Sequence, residues 1–363
     1  MKVILIRSKT TDSAIFKVAD TLFKAGYNVE LLVWDRQNTL NCKEYPYKIN
    51  KFDLKAPYDS FWALLYLPVW WVYEFIFLMR NKYDLIHACD LDTLWPAIFA
   101  KSLKKAKLFY TIYDFYADNI PKLPQFVRSI ISFLEKKGIK FSDTLFLVDE
   151  ARYEQVKGSK IKKLIYLYNS PKDLFLYSKL KRSNEYNPKL VVFYAGSLDK
   201  SRGMKYMINS VKEMKSIHLI IAGEGNDKKM VEESSINNEN ISYLGWLDHS
   251  DVLEMSLEAD VLFAFYDPSI PNNRYASPNK LFEAMMCGKP IIMNSETSAS
   301  KIVRCAECGI IVNYGDVKSI KKMLIKLQSP DLREKLGKNG RKVYEMKYNW
   351  KIMEKRLLKA YEL

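Results

Sequence analysis

The chain has 363 residues, of which 48% are hydrophobic, and its 57 Lys and Arg residues outnumber 42 Asp and Glu to give a formal net charge of +15. At roughly 150 residues per domain, this length predicts two domains. The apolar content excludes a wholly disordered chain. The excess positive charge indicates anionic partners, a class that includes nucleic acid, membrane headgroups and phosphorylated substrates.

The first half alternates between apolar strands and helices. The strands are predicted at 2–7, 28–34, 85–89, 108–113, 144–148 and 164–168. A helix over 12–24, which Asp12 can cap, and a helix over 93–104 lie between them. This βαβ order predicts a doubly wound parallel sheet with right-handed connections.

The segment 61–79 (FWALLYLPVWWVYEFIFLM) has one charge, Glu74, and is long enough to cross a membrane. Pro68 interrupts it, and a single crossing would separate the strands on its two sides, which we expect to share a sheet. Two interpretations remain open. The segment is either an apolar crossover helix buried in the first domain or a membrane-surface patch. The patch would be anchored at headgroup level by Trp62, Trp70 and Trp71.

A polar, lysine-rich stretch over 169–189 indicates a linker, and the alternation then starts again. Strands are predicted at 190–195, 217–222, 241–244, 260–266, 290–294 and 310–313, with helices at 203–215, 228–234, 250–257 and 278–286. The C-terminus reads as helical from about 317, with a break at Pro330.

The sequence therefore predicts an α/β protein of two Rossmann-like domains, at 1–172 and 186–346, joined by a linker at 173–185. The C-terminal helix, about 348–363, can pack back on the first domain. Ligands of such sheets bind at the carboxyl ends of the strands. We expect these two edges to face each other across a cleft suited to two substrates.

Five cysteines, an odd number, favour a reducing compartment. The N-terminal apolar run of five residues is shorter than the ~7–15 of a signal peptide. Cys305 and Cys308 have no second pair, and the chain has only three histidines, so we expect no metal. Asp90 and Asp92 resemble a metal motif, but we interpret them as a strand end and a helix N-cap. These features together predict a cytoplasmic protein.

The strongest local signal is the sequence YASPNKLFEAMMCGKP at 275–290. Ser277 can cap a helix whose first turn holds Pro278 and Asn279, and a helix N-terminus binds anions. Lys280 in that turn opposes the helix dipole unless an anion is bound, which suggests a phosphate. One turn later, Glu283 could accept hydrogen bonds from two ribose hydroxyls. The alternative is an ordinary capped helix with a Lys–Glu pair.

The segment SPNKLFEAMMCGKPII resembles the donor-binding motif of family 4 glycosyltransferases with the GT-B fold, the glycosyl transferases group 1. Further segments, in the same order along the chain, resemble other elements of that family. They are TDSAIFKVADTLFKAGYNVELLVWDR, KYDLIHACDLDTLWPAIFA, VVFYAGSLDKSRGMKYMINSVK, IHLIIAGEGN and ISYLGWLDHSDVLEMSLEADV.

This resemblance implies a metal-independent hexosyltransferase that uses a UDP- or GDP-linked sugar as co-substrate and has no bound cofactor. Glu283 would hold the donor ribose. Gly196 would let the pyrophosphate approach the backbone, and Arg202 and Lys280 would neutralise it. The residues implied beside the base are Gly223, Glu224, Trp246 and Leu247.

The chain departs from the family pattern at the transferred sugar. Tyr275 occupies a donor-sugar position where many retaining members have Glu, and Tyr113 replaces a common His. An inverting reaction needs a carboxylate base on the acceptor hydroxyl. Asp90 and Asp114, which end adjacent predicted strands, are the candidates, with Asp118 as a third.

Basic residues cluster in the first domain and include Lys104 and Lys105. With the apolar segment, they predict docking on an anionic membrane at ~1 kcal/mol per basic residue. By analogy with relatives, the acceptor would then be a lipid-linked sugar or glycolipid, and the protein peripheral to the membrane. A solvated lysine-rich surface is the alternative.

Two other functions stay open at this stage. A nucleotide-sugar epimerase of the same fold would need no acceptor. A nucleic-acid-binding protein is suggested by charge alone, and the chain lacks an aromatic-basic RNA motif or a helix-turn-helix signal. We therefore expect no nucleic-acid partner.

Overall fold

The computed structural model describes residues 1–10, 13–38, 40, 45–56, 63–120, 123–173 and 189–362. Two compact units make up the chain. Unit 1 comprises Met1–Tyr168 and Met353–Leu363, and unit 2 comprises Asn169–Ile352. Apart from Asp173, the predicted linker lies outside the described residues.

Unit 1 is built on a seven-stranded parallel sheet in the order β3-β2-β1-β4-β5-β6-β7. Val3 in β1 pairs with Val29 in β2 on one side and with Leu85 in β4 on the other. The inner strands are largely apolar because helices cover both faces of the sheet. The strands are β1 (Lys2–Arg7), β2 (Asn28–Trp34), β3 (Lys48–Phe52), β4 (Leu85–Cys89), β5 (Lys107–Ile112), β6 (Thr144–Leu147) and β7 (Leu164–Tyr166).

The helices of unit 1 are α1 (Ser13–Lys24), α2 (Ala63–Arg80), α3 (Leu91–Lys104), α4 (Tyr116–Asn119), α5 (Gln125–Ile139) and α6 (Tyr153–Val156). One core cluster joins α2, α3 and α5 to a single face of the sheet, through residues such as Trp70, Leu94 and Ile139. On the opposite face, His87 of β4 contacts the hydroxyl of Tyr361 at 2.5 Å. Tyr361 belongs to the last helix, α15 (Trp350–Tyr361), which therefore covers that second face.

Unit 2 contains a six-stranded parallel sheet in the order β10-β9-β8-β11-β12-β13. Its strands are β8 (Leu190–Ala195), β9 (Ile217–Ala222), β10 (Ile241–Tyr243), β11 (Val261–Ala264), β12 (Ile291–Asn294) and β13 (Gly309–Val312). Its helices are α7 (Met204–Val211), α8 (Lys228–Asn237), α9 (His249–Glu258), α10 (Pro271–Arg274), α11 (Asn279–Cys287), α12 (Ala299–Ala306), α13 (Val317–Lys326) and α14 (Pro330–Val343). The predicted class, two Rossmann-like sheets, is confirmed.

The strand order reverses between β1 and β4 in unit 1 and between β8 and β11 in unit 2. The connections diverge on either side of such a point and leave a crevice at the carboxyl ends of the strands. Strand β3 and helices α4, α5 and α6 of unit 1 were not predicted. Strand β3 (KINKF) is a polar edge strand, and α5 has apolar residues on its outer as well as its inner side, which hides the one-sided helical pattern.

The apolar segment forms α2, and its tryptophans face inward. Trp70 is fully buried and stacks on Trp34 at 5.8 Å between ring centroids. The indole N–H groups of Trp70 and Trp71 each donate to the carbonyl oxygen of Asp92 at 2.9 Å. The prediction that Trp70 and Trp71 are headgroup anchors is therefore wrong, since their polar edges are bound inside unit 1.

Trp62 lies outside the described residues. Among the helices that the structure describes, none is long and apolar enough to span a membrane.

Glu74 lies in the middle of α2 and is fully buried. Within the described part of the chain, neither of its carboxyl oxygens has a hydrogen-bond partner. Burial raises its pKa well above the ordinary value, and the nearby Asp92 raises it further. Burial in folded unit 1 therefore favours the neutral, protonated form of Glu74 over the carboxylate.

We expect Glu74→Leu to stabilise the protein by ~1–3 kcal/mol at pH 5, because it removes a buried polar group without a partner. The gain should grow with pH. Unfolded Glu74 ionises near pH 4.5 while the folded form keeps its proton, so wild-type stability falls by up to ~1.4 kcal/mol per pH unit above that value. Urea unfolding at pH 5, 6 and 7 measures this difference.

The matched control is Glu233→Leu, which replaces a largely exposed glutamate on α8. Its effect on stability should not follow this pH trend. A Glu74→Leu gain that stays constant from pH 5 to 7 would contradict the buried neutral acid.

Candidate functional site

In unit 2, the loops after β8 and β9 touch through their backbones. A Cβ on Gly223 would lie 1.8 Å from the carbonyl oxygen of Gly196. A Cβ on Gly196 would lie 2.6 Å from Nζ of Lys280, and Gly196 has a φ of +146°. Only glycine fits these two positions, so backbone rather than side chain lines this edge of the sheet.

Lys280 occupies the first turn of α11, and its ammonium group lies 4.6 Å from the ring centroid of Tyr194. Its pKa is lowered to about 8, because burial and the charge of Arg202 disfavour the protonated form more than Glu283 favours it. Among the described residues, no carboxylate forms an ion pair with it. A lysine held in this way favours binding of an anion, which would restore the stability of its charged form.

Arg202 supplies a second cation to this group. It ends a short 3₁₀ turn, Lys200–Arg202, and its guanidinium lies 4.4 Å from the ring centroid of Tyr266. Tyr266 is itself fixed by Asn294, which accepts from its N–H at 2.8 Å and donates to its carbonyl oxygen at 3.0 Å. Residues at the ends of β11 and β12 thereby fix the position of the Tyr266 ring, against which Arg202 packs.

Glu283 lies one turn after Lys280 on α11 and is 7% exposed. Within the described residues, no side chain or backbone group forms a hydrogen bond or ion pair with its carboxylate. Its effect on the pKa of Lys280 shows that the two groups are close. The structure thus brings together Gly196, Arg202, Lys280 and Glu283, four of the residues that the sequence singled out.

The start of α11 differs from the prediction. The helix begins at Asn279, and Pro278 occupies the N-cap position without a side-chain hydrogen bond. The prediction that Ser277 caps the helix is wrong, because the cap falls one residue later. Asn279 is exposed, and Tyr275 is half-buried just after α10.

The loop after β10 lies beside these groups, because the N–H of Gly223 donates to the carbonyl oxygen of Gly245 at 2.7 Å. Trp246, which follows Gly245, is 66% exposed, and Leu247 is half-buried. Glu224 is exposed and pairs with Lys228 at 2.9 Å. These residues therefore lie at the surface of the loops, outside the buried group around Lys280.

In unit 1, Asp90 follows β4 and has a φ of +63°, a strained value for a residue with a side chain. It occupies the N-cap position of α3, but its side chain does not cap that helix. One carboxylate oxygen accepts from Arg7 at 2.6 Å, and the other accepts from the N–H groups of Tyr113 and Asp114 at 2.7 and 3.1 Å. Burial raises its pKa, as do Asp114 and Asp92, and Arg7 opposes the rise.

Asp114 is more accessible, with 34% of its side chain exposed, and Arg152 lies 3.4 Å away. Because both oxygens of Asp90 already accept hydrogen bonds and the residue is 4% exposed, its geometry does not fit the predicted role of base. Asp90 instead fixes the backbone that carries Asp114.

Sequence reasoning did not identify Arg7 or Glu135. Arg7 interrupts the apolar run at the end of β1, a signal that could have identified it. Glu135 of α5 accepts from the hydroxyl of Tyr110 at 2.9 Å and from the N–H of Tyr116 at 3.1 Å. Burial raises the pKa of Glu135 to about 8. Across the described part of the chain, no three His, Cys, Asp or Glu residues are grouped to hold a metal.

Comparisons with known proteins agree with this geometry. A sequence model of the glycosyl transferases group 1 matches residues 178–343. The capsular polysaccharide biosynthesis glycosyltransferase CapM of Staphylococcus aureus is 30% identical over 188 residues, which cover 48% of this chain and 46% of CapM. The chain thus spans about half the length of that relative.

Two solved structures have the same fold. Sucrose-phosphate synthase from Thermosynechococcus elongatus superposes with a TM-score of 0.80 at 16% identity, covering 99% of this chain and 98% of that one. Anabaena HepE, solved with UDP and glucose, gives a TM-score of 0.74 at 15% identity and covers both chains completely (100% of each).

The two parallel sheets, the sequence match over the second unit and these relatives lead to one conclusion. The chain is a glycosyltransferase with the GT-B fold, and its residues 178–343 match the glycosyl transferases group 1.

Proposed function

We propose that this glycosyltransferase transfers a hexose from a UDP- or GDP-linked sugar to a lipid-linked or glycan acceptor at the cytoplasmic face of a membrane, during polysaccharide assembly. The observation that carries the donor half is the group formed by Lys280, Arg202, Glu283 and the bare backbone of Gly196. The name of CapM supports polysaccharide assembly, and HepE, solved with UDP and glucose, supports a nucleotide sugar.

The donor residues have separate tasks in this proposal. Departure of a nucleoside diphosphate places negative charge on its phosphates, and Lys280, Arg202 and the N-terminus of α11 stabilise that charge. Gly196 allows the pyrophosphate to reach the backbone. Glu283 accepts hydrogen bonds from the ribose hydroxyls. The two fixed cations perform the work that a metal would otherwise do, so we propose a metal-independent reaction.

On the acceptor side, Asp114 is the carboxylate that can reach a substrate, and Asp90 positions it through the N–H groups of Tyr113 and Asp114. In an inverting reaction, Asp114 takes the proton of the acceptor hydroxyl while that oxygen bonds to the sugar and the sugar–phosphate bond breaks. In a retaining reaction, Asp114 orients the acceptor. We place Tyr275 and Tyr113 beside the transferred sugar.

Binding of the donor should be visible in thermal unfolding. A nucleotide or its sugar at 100 times its Kd stabilises the folded protein by ~2.7 kcal/mol. We expect UDP, GDP or their sugars to raise the Tm and Glu283→Ala to weaken their binding by about 10-fold or more, because a charge-assisted hydrogen bond contributes ~1.5–3 kcal/mol. Glu254→Ala, at an exposed site on α9, is the control. If neither nucleotide nor its sugar raises the Tm, the donor site is wrong.

The affinity for UDP should depend on pH through Lys280. The pKa of this lysine is about 8 without ligand, and a bound pyrophosphate stabilises its protonated form. Affinity should therefore approach a constant value as the pH falls below 8, and decrease by up to about tenfold per pH unit above 8. UDP itself is fully ionised in this range, since its phosphate pKa is about 6. Calorimetry between pH 7.5 and 9.5 measures the trend.

Lys280→Arg serves as the comparison, because arginine stays charged over this range. Its affinity for UDP should not fall above pH 8, whatever its absolute value. An identical decline in both proteins would assign the pH dependence to another group.

Asp114→Asn should lower kcat by about 10²-fold or more while leaving UDP affinity unchanged, because the amide cannot take a proton. The assay follows radiolabelled sugar from the stabilising donor into lipid acceptors extracted from the source cells. Asp53→Asn, a change at an exposed carboxylate in unit 1, should keep wild-type turnover. Near-normal kcat in Asp114→Asn would remove this residue from the chemistry.

A further inference from the structure

The helices α2, α3 and α5 share one face of the sheet in unit 1, and α3 packs against both of the others. The outer side of a helix that covers a sheet is ordinarily polar. Here the outer side of α2 carries Leu65, Val69, Val72 and Ile76, which are 42–62% exposed. Their spacing of four, three and four residues places them in one stripe along the helix.

The other two helices continue this surface. On α3, Phe99 and Leu103 are 57% and 64% exposed. On α5, the outer side carries Phe126, Ile130, Phe133 and Leu134, which are 40–67% exposed. We call the outward surfaces of α2, α3 and α5 the three-helix face.

The three-helix face is larger than an ordinary apolar patch. The largest patch on a typical monomer covers about 300–600 Å². Phe99, Phe126, Phe133 and the neighbouring Phe141, at about 100 Å² of exposed surface each, already reach that range. The aliphatic stripe of α2 is additional.

The charges of the three helices have a single sign on the outside. Their acidic residues, Glu74, Asp92 and Glu135, are all buried, at 0%, 2% and 0% exposure. Basic residues remain at or near the surface and include Lys137 on α5 and Lys105 and Lys140 just after the helices. In the described residues of these helices, the exposed groups are apolar, neutral polar or cationic, and none is acidic.

Some of the basic residues predicted to contact a membrane instead bind groups within unit 1. Lys104 donates to the carbonyl oxygen of Asn81 at 2.6 Å, and Lys101 pairs with Asp143 at 2.7 Å. Others lie along exposed aromatic rings, with the ammonium of Lys137 5.2 Å from the ring centroid of Phe133 and that of Lys140 4.6 Å from Phe141. An exposed aromatic ring with an ammonium group beside it suits the boundary between the acyl chains and the headgroups of a lipid layer.

We propose that the three-helix face is a docking surface for an anionic lipid bilayer. The stripes of α2, α3 and α5 enter the boundary between headgroups and acyl chains, while Lys105, Lys137 and Lys140 meet the lipid phosphates. The described residues of these three helices expose no acidic side chain, which favours an anionic bilayer as the partner. The surface of a protein partner would carry both positive and negative charges. This inference extends the proposed function, because it places unit 1 where a lipid-linked acceptor lies.

The test is cosedimentation of the full chain with phosphatidylcholine vesicles that contain or lack phosphatidylglycerol. The wild type should bind the anionic vesicles. Phe126→Gln with Phe133→Gln should weaken that binding by about tenfold or more, because two aromatic side chains no longer enter the bilayer. The matched control, Ile236→Gln with Met346→Gln, removes two side chains of unit 2 that are 82% and 71% exposed, and should bind like the wild type.

A second pair of variants tests the charges. Lys137→Gln with Lys140→Gln should weaken binding to anionic vesicles by about 25-fold, at about fivefold for each lysine. Lys322→Gln with Lys326→Gln, on α13 of unit 2, should not. Thermal unfolding of each variant confirms that it is folded.

Three results would overturn the proposal. The first is a wild type that stays in solution with anionic vesicles, and the second is a Phe126/Phe133 variant that binds them as the wild type does. The third is a stable dimer that this variant abolishes, without vesicle binding, which would make the face an interface between two copies. UDP binding by the same preparations tests the donor site separately. Failure to bind vesicles would not contradict the proposed donor site, and loss of UDP binding would not contradict the docking surface.

Discussion

The close approach of Lys280 to the backbone of Gly196 is the constraint on which the proposed donor site depends. Lys280 is largely shielded from water, its pKa falls to about 8, and the described residues offer it no ion pair. A nearby anion would stabilise the charged form of a lysine held in this way. Three further features complete this group. Gly223 lacks a side chain, which lets the loops after β8 and β9 come into contact. The guanidinium of Arg202 packs against the ring of Tyr266, and Glu283 lies one helical turn after Lys280.

Unit 1 also buries charged groups at the edge of its sheet, but these groups are carboxylates rather than a lysine. Several carboxylates gather near the carboxyl ends of β4 and β5, and burial raises the pKa of Asp90 and Glu135. The strained backbone of Asp90 and its hydrogen bonds to Arg7, Tyr113 and Asp114 hold Asp114, whose carboxylate is more accessible, in place. In both units, these groups lie where the strand order reverses, which is where a parallel sheet leaves room for a ligand.

Much of this could be predicted because the evidence is local. Alternating apolar strands and helices predicted both sheets, and the three-residue spacing of Lys280 and Glu283 predicted a shared helix face. The two errors below arose because the local sequence pattern did not show which side of a helix is buried. Trp70 and Trp71 looked like membrane anchors because their composition suits an interface, yet their indoles bind the carbonyl oxygen of Asp92. Helix α5 went unpredicted because its outer side is as apolar as its inner side.

The sequence by itself determined the fold class and the residue types of the proposed donor site, because hydrophobic periodicity and helix-terminus chemistry act within a few residues. Only the tertiary structure decided which side of α2 faces water, which of Asp90 and Asp114 is accessible, and which lysines remain at the surface. Those outcomes depend on contacts between distant segments, such as Arg7 with Asp90 and Lys101 with Asp143. A side chain's burial and its partners, which set its charge and its reach, are properties of the packed sheet rather than of the residue.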